Sequence, residues 1–328
     1  MTLRTLAVVG TGLIGTSVAL AARLRDVTVY LLDRDESAVR AAAVLGAGRP
    51  EAPQDPVDLA VLAVPPSQIA PVLAELQARG LALSYTDVAS VKAHAEREIL
   101  DTAPDPSRYI GGHPLAGRER SGPLAARAEL FQGRPWVLTP TRLTSRAAFG
   151  RALDLIALCG AVPRVMRARA HDDAVALTSH APHLVASLMA ARLGEGPAEA
   201  AHLAGQGLRD TTRIARGDSR LWSDIVESNA AAVADILTRL QEDLASVVAA
   251  LYDLADPERG RELSGKSRHT LVDLLDRGAA GVGELDGPRL DGPLRGEVPG
   301  EVPGPVPGRV PGRMPGRVPG QAVPCPPR

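Results

Sequence analysis

A glycine triplet, Gly10-x-Gly12-x-x-Gly15, follows an apolar run over 6–9 and opens an Ala/Leu-rich stretch over 14–24. In the strand–turn–helix unit this spacing implies, each glycine has its own task. The first permits the tight turn, the second lets a diphosphate approach the backbone, and the third lets the helix pack close to the strand with its positive end toward phosphate. Asp33 stands 18 residues past Gly15, at the end of a second strand-like run over 27–32. A carboxylate there accepts from the ribose hydroxyls of an adenosine and repels a 2′-phosphate, which favours NAD as cofactor. Arg34 either stacks on adenine or receives a phosphate. The structural alternative for Asp33 is a cap on a helix over 36–45.

Further strand-like runs over 59–64, 83–88 and 136–138 alternate with helical stretches. Such alternation implies a mostly parallel sheet with helices on both faces. From about 171 to 254 strand-like runs vanish and Ala/Leu segments with helical period follow one another. The expected fold is therefore an α/β Rossmann-type dinucleotide-binding domain over 1–165, then an all-α domain over 166–280. Apolar residues make up 45% of the chain but aromatics only 2%, so the core must be built from Ala, Leu and Val. The apolar helical domain suggests a dimer interface. Beyond it a short helix over 269–275 is expected. From 298 the chain repeats Val-Pro-Gly every four residues, and 281–328 reads as a disordered Pro/Gly-rich tail.

A net charge of -1 and the lack of a basic patch argue against a nucleic-acid partner. No uninterrupted apolar run reaches the roughly 20 residues that span a bilayer, and the start reads as a strand rather than a signal peptide. The two cysteines, Cys159 and Cys325, suggest neither a disulfide framework nor a metal site. A reduced, cytoplasmic protein with a small-molecule substrate is the expectation.

Val64-Pro65-Pro66 and Asp87-Val88-Ala89-Ser90-Val91-Lys92 end two strands, and carboxyl ends of parallel strands face the ligand crevice. Ser90 and Lys92 are candidates for contacts near the nicotinamide or substrate. The alternatives are a helix N-cap for Ser90 and a structural ion pair for Lys92. His113, in the segment 111–122, follows a short strand-like run and precedes Pro114, which suits a general base with a pKa near neutrality. Glu119 either tunes that base or pairs with Arg118 or Arg120. His180 and His183 lie on one helical face, but no third ligand accompanies them, so no metal is expected. Arg213 offers paired donors suited to a carboxylate, with Arg209 the surface alternative. Trp222, Asp224 and Asn229 read as residues that hold helices together.

Taken in order, five blocks resemble the prephenate/arogenate dehydrogenase family of tyrosine biosynthesis. They are Gly10-Thr-Gly-Leu13-Ile14-Gly15, Asp87-Val-Ala-Ser90-Val-Lys92, Gly111-Gly-His113-Pro-Leu115-Ala-Gly-Arg-Glu119-Arg-Ser-Gly122, Ser179-His-Ala-Pro-His183 and Arg209-Asp-Thr-Thr-Arg213-Ile-Ala215. The resemblance covers about residues 6 to 254. It implies oxidative decarboxylation of prephenate by NAD in a homodimer joined through the helical domain, with arogenate as the alternative substrate. It implies that His113 takes the proton of the ring hydroxyl and that Ser90 hydrogen-bonds the same hydroxyl near the nicotinamide. Arg213 would bind a carboxylate, His183 would line the pocket and Glu119 would gate or tune it. Leu115 stands where Met is common. No regulatory domain of the amino-acid-binding type is expected after the helical domain. Related two-domain dehydrogenases would use a lysine of the helical domain, and 171–254 contains none. A nucleotide-sensing protein without catalysis would have no need of His113, Ser90 and Arg213 together.

Overall fold

The computed structural model describes residues 3–117, 121–256 and 261–285. Among them seven strands form one sheet: β1 (Thr5–Val9), β2 (Thr28–Leu32), β3 (Leu59–Leu62), β4 (Tyr85–Asp87), β5 (Tyr109–Pro114), β6 (Pro135–Thr139) and β7 (Val162–Val165), in the order β2-β1-β3-β4-β5-β6-β7. β1 to β5 are parallel, β6 runs antiparallel to β5, and β7 is parallel to β6.

Helices cover both faces, so the inner strands are apolar on both sides. Leu6, Val8, Leu59 and Val61 point to one face and pack with Val18, Ala19 and Ala22 of α1 (Leu13–Arg23) and with Ala152, Leu155 and Ile156 of α5 (Arg146–Leu158). Ala7, Ala60 and Leu62 point to the other. They meet Ile69, Leu73 and Leu76 of α3 (Ile69–Ala78) and Ala95 and Ile99 of α4 (Ala93–Thr102). α2 (Glu36–Val44) follows β2. β1 lies between β2 and β3, so the chain leaves it in opposite directions on its two sides. The carboxyl end of β1 is therefore the crevice where open α/β sheets bind ligands.

The expected strands are all present, and two features differ. β7 was not expected, and β5 runs on through His113 instead of ending in a loop at Gly111.

The helical half begins with one continuous helix, Ala168–Leu193. It consists of α6 (Ala168–Val175), a π-helical turn (Ala176–His180) and α7 (Ala181–Leu193). Pro182 explains the widened turn, because it has no N–H to donate and its ring would strike the carbonyl four residues back. α8 (Gln206–Thr212), α9 (Ser219–Ser228), α10 (Ala230–Ala255) and α11 (Arg261–Gly283) follow, and the short helix expected over 269–275 is the middle of α11. Ala168–Leu193 is long and apolar enough to cross a membrane by length and composition. Its buried His171, Asp172 and His180 instead hydrogen-bond to residues outside that helix. The helical core is small: Ala176, Ala232 and Val233 with Leu184, Val226, Ile236 and Leu237 around them. Leu188 and Met189 of α7, Leu244 and Leu251 of α10 and Leu275 of α11 are exposed. The Val-Pro-Gly segment lies outside the described residues.

Candidate active site

Two of the three N-terminal glycines are required by the protein's own packing. Gly10 has φ 103°, and a Cβ on it would lie 2.2 Å from the Ala63 carbonyl oxygen. A Cβ on Gly15 would lie 1.9 Å from the Gly10 carbonyl oxygen. At Gly12 a Cβ would meet nothing within 4 Å, so the space in front of this residue is left open. Gly12 also starts α1 without a side-chain cap, and no acid stands in the first turn. By contrast, α2, α5 and α9 are capped by Asp35, Ser145 and Asp218. The backbone N–H groups of Leu13, Ile14 and Gly15 therefore form an uncapped positive end beside an open space, which fits the diphosphate of a dinucleotide.

Asp33 follows β2, and its carboxylate is held at this turn. One oxygen accepts from the Thr11 backbone N–H at 2.6 Å and the Thr11 hydroxyl at 3.0 Å, the other from the Asp35 N–H at 3.0 Å. It does not cap α2; Asp35 does, accepting from Ser37 N–H at 2.8 Å. Arg34 is exposed next to it. Val64 and Pro65 follow β3 at the neighbouring edge of the crevice, and the Ser67 N–H donates to Asp224 of α9 at 3.3 Å. Asp224 thus joins the two halves of the chain.

Beyond β4 lies a buried charged cluster. The Lys92 ammonium pairs with the Asp87 carboxylate and donates to the Gly112 carbonyl at 2.7 Å. Asp87 also accepts from the Tyr109 hydroxyl and, at 2.7 Å, from the Ala89 N–H. Lys92 is 2% exposed and Asp87 0%. Of the two alternatives for Lys92, the ion pair is the one realised, and the side chain is consumed by it. The Gly111-Gly112 pair makes the cluster possible. A Cβ on Gly111 would lie 2.4 Å from the Thr139 hydroxyl oxygen, and one on Gly112 would lie 2.6 Å from the Asp87 carbonyl oxygen. Ser90 is half-buried after β4 and caps no helix, because α4 begins at Ala93.

His113 sits on β5, opposite Val137 of β6, and projects past the end of β4. Its Nδ1 is 2.8 Å from Nε2 of His171, and His171 Nδ1 is 2.8 Å from Asp172 Oδ1. The same carboxylate accepts the Lys92 and Ala93 backbone N–H groups at 2.9 and 2.8 Å, so a helical-half acid caps α4. Burial holds the His113 imidazole well below the ordinary histidine range, and His171, Lys92 and His180 push it the same way. This corrects the expectation of a pKa near neutrality: desolvation disfavours the imidazolium and the nearby cation opposes it further.

His183, on α7, stacks on Trp222 at 3.5 Å between ring centroids, and burial lowers its pKa. His180 accepts at Nδ1 from the Asn229 amide at 3.2 Å, while that amide also donates to the Asp172 carbonyl at 2.8 Å. Burial pushes His180 down to about 4. His180 Nε2 and His183 Nδ1 are buried without a partner in the protein, as atoms awaiting a ligand or water would be. Arg213 is exposed and ends α8. The turn it begins closes at Gly217, where a Cβ would lie 2.2 Å from Trp222 Nε1 and 3.0 Å from His183 Cε1. Arg213 therefore stands one tight turn from the ring stack. Glu119, with Arg118 and Arg120, lies outside the described residues.

In the sequence, His171 and Asp172 stand only at the start of the all-helical stretch, with no motif to mark them as site residues. An adjacent His-Asp pair was the available signal, but its partners are 58 and 80 residues away.

Two family models match. Residues 17–165 match the prephenate dehydrogenase nucleotide-binding domain, and residues 167–262 match the prephenate dehydrogenase dimerization domain. The chain is 44% identical over 287 residues to the probable prephenate dehydrogenase NovF of Streptomyces niveus, covering 87% of this chain and 78% of that one. It is 34% identical over 251 residues to the cyclohexadienyl dehydrogenase of Zymomonas mobilis, covering 73% and 85%. Among solved structures, the prephenate dehydrogenase of Aquifex aeolicus with hydroxyphenyl propionate and NAD+ shares the fold. Its TM-score is 0.70 at 24% identity, over 84% of this chain and 99% of that one.

Proposed function

The chain belongs to the prephenate dehydrogenase family, and on that premise we propose that it catalyses the NAD-dependent oxidative decarboxylation of prephenate to 4-hydroxyphenylpyruvate in tyrosine biosynthesis. The carrying observation is a half-buried imidazole, His113, whose neutral form desolvation favours; it stands past the carboxyl end of a dinucleotide-type sheet and, among the described residues, is hydrogen-bonded on one nitrogen only. A neutral imidazole with a spare nitrogen is what removal of a hydroxyl proton requires.

Gly10, Gly12, Leu13, Ile14 and Gly15 hold the diphosphate through the open start of α1. Asp33 receives the adenosine ribose, and Arg34 lies beside the adenine. Val64, Pro65 and Ser90 border the nicotinamide end. Bound NAD supplies the hydride acceptor. His113 takes the ring-hydroxyl proton on its free nitrogen as the carbonyl forms, with Ser90 orienting that hydroxyl. The ring carboxylate leaves as carbon dioxide, and the proton returns to the oxygen as the ring becomes aromatic. Arg213 pairs with a substrate carboxylate, His183 lines the pocket and Glu119 gates or tunes it. The chain's task is positioning, proton transfer and charge pairing.

The domain division is 1–165 for the nucleotide-binding half and from 166 for the helical half; α11 runs to Gly283, so the helical half extends past the expected boundary at 280 and residues 281–283 are not tail. The exposed apolar residues of α7, α10 and α11 support a homodimer through the helical half. The reducing cytoplasm suits the buried free thiol of Cys159, which burial pushes up to about 12. Steady-state rates on prephenate and on arogenate, each with NAD and NADP, test the assignment. The highest specificity constant is expected for prephenate with NAD. A higher value for arogenate moves the chain to arogenate dehydrogenase.

A further inference from the structure

The contacts running from α4 through Asp172 and His171 to His113 carry more than packing. Asp172 accepts three donors at 2.8–2.9 Å: two backbone N–H groups at the positive start of α4 and the His171 ring. A carboxylate in that setting can only accept, so His171 carries its proton on Nδ1. With one proton on the ring, His171 Nε2 is a lone pair. That lone pair lies 2.8 Å from His113 Nδ1, so His113 must donate there. His113 is then protonated on Nδ1 and bare on Nε2. The pair behind His113 is shielded from solvent, with His171 1% exposed and Asp172 2%, while His113 itself is half-buried. Asn229 donates to the Asp172 carbonyl and locks the dyad's backbone from the far side.

We propose that His171 and Asp172 are positioning residues that fix the tautomer of His113, so that the nucleotide-binding half owns a competent base only when the helical half is docked on it. This rests on His113 being the base, as read above. When His113 takes the hydroxyl proton, the substrate O–H bond breaks and an N–H bond forms on Nε2. The Nδ1–H continues to donate to His171, and the Asp172 charge behind it stabilises the imidazolium. No proton passes to Asp172. A second proton on His171 would reverse the direction: His113 Nδ1 would become the acceptor, its own proton would sit on Nε2, and the base would be blocked.

Long-range proton–nitrogen NMR on the full chain labelled at histidine nitrogen reads this directly, near neutral pH and without substrate. The His113 signals are assigned by their loss in His113→Gln. Protonated Nδ1 and bare Nε2 are expected; protonated Nε2 overturns the proposal whatever the protein turns over. Kinetics give the second arm. His171→Leu removes the acceptor and should lower kcat by about 10²–10⁴-fold, with the KM values for both substrates within about threefold. His171→Gln restores an acceptor oxygen and should recover at least tenfold of that loss, about the share expected of one positioned acceptor. Equal losses in the two variants, with both folded, overturn the positioning role. If the wild-type chain shows the expected tautomer but no turnover of prephenate, the functional reading fails and the tautomer assignment stands.

Discussion

Lys92→Met tests the buried cluster that supports His113. Methionine keeps the length of the side chain but removes its charge and donors. Asp87, 0% exposed, would retain the Tyr109 hydroxyl and the Ala89 N–H and lose its counter-charge. Removing one partner of a buried pair costs about 3–5 kcal/mol, because the other charge is left uncompensated. In a unit of this size each kcal/mol shifts the melting temperature by about 2–4 °C. The expected fall is therefore about 6–20 °C by circular dichroism without NAD. Activity should drop as well, since the same ammonium holds the Gly112 carbonyl next to His113. The double variant Lys92→Met/Asp87→Asn removes both charges and should recover most of the loss. A melting temperature for Lys92→Met within about 2 °C of wild type, or strictly additive single effects, would mean that Asp87 does not depend on this counter-charge.

Asp33→Ser should weaken NAD binding and narrow its lead over NADP, measured as the ratio of specificity constants; equal use of both cofactors by the wild type would make Arg34 the determining residue. Arg213→Ala should raise the Michaelis constant far more than it lowers turnover, by about 2–5 kcal/mol if the carboxylate pair is desolvated, and an unchanged constant would move the role to Arg209. Acid should destabilise the fold through its buried histidines. His180 falls from 6.5 to about 4 on folding, and His113 lies well below 6.5. The unfolded chain binds these protons first, so stability is full above about 6.5 and is lost as pH drops toward 4. Denaturant titrations at pH 7 and pH 5 read this, and equal stability at both would contradict the burial of these rings.

Much of the architecture was legible because local chemistry and tertiary demand agree. Gly10 and Gly15 mark backbone contacts too close for any Cβ, and apolar runs mark strands covered on both faces. β7 was not legible because Pro163 interrupts Val162–Val165; among the described residues it pairs only with β6, and such edge strands tolerate proline. β5 was cut short because Gly111-Gly112 reads as a turn, whereas these glycines are small so that Asp87 and Thr139 can approach. His113 was visible as a candidate base from its setting. Its hydrogen-bond partners were not, since no sequence spacing links a strand of one half to the first helix of the other. The depressed pKa of His113 escaped for the same reason: burial and the Lys92 charge are consequences of packing.

If His113 accepts the hydroxyl proton, turnover of prephenate with NAD by His113→Asn, followed by absorbance of the reduced cofactor across pH, will show it. The wild type should keep its rate into the acid range and lose it only below the ordinary histidine pKa, because the group must be neutral to work and burial keeps it so. His113→Asn should lose about 10²–10⁴-fold in kcat, the range of a positioned base, and should lose that acid limb while binding NAD as before. Near-normal turnover with the same acid limb would contradict the account and place the base at His180 or His183.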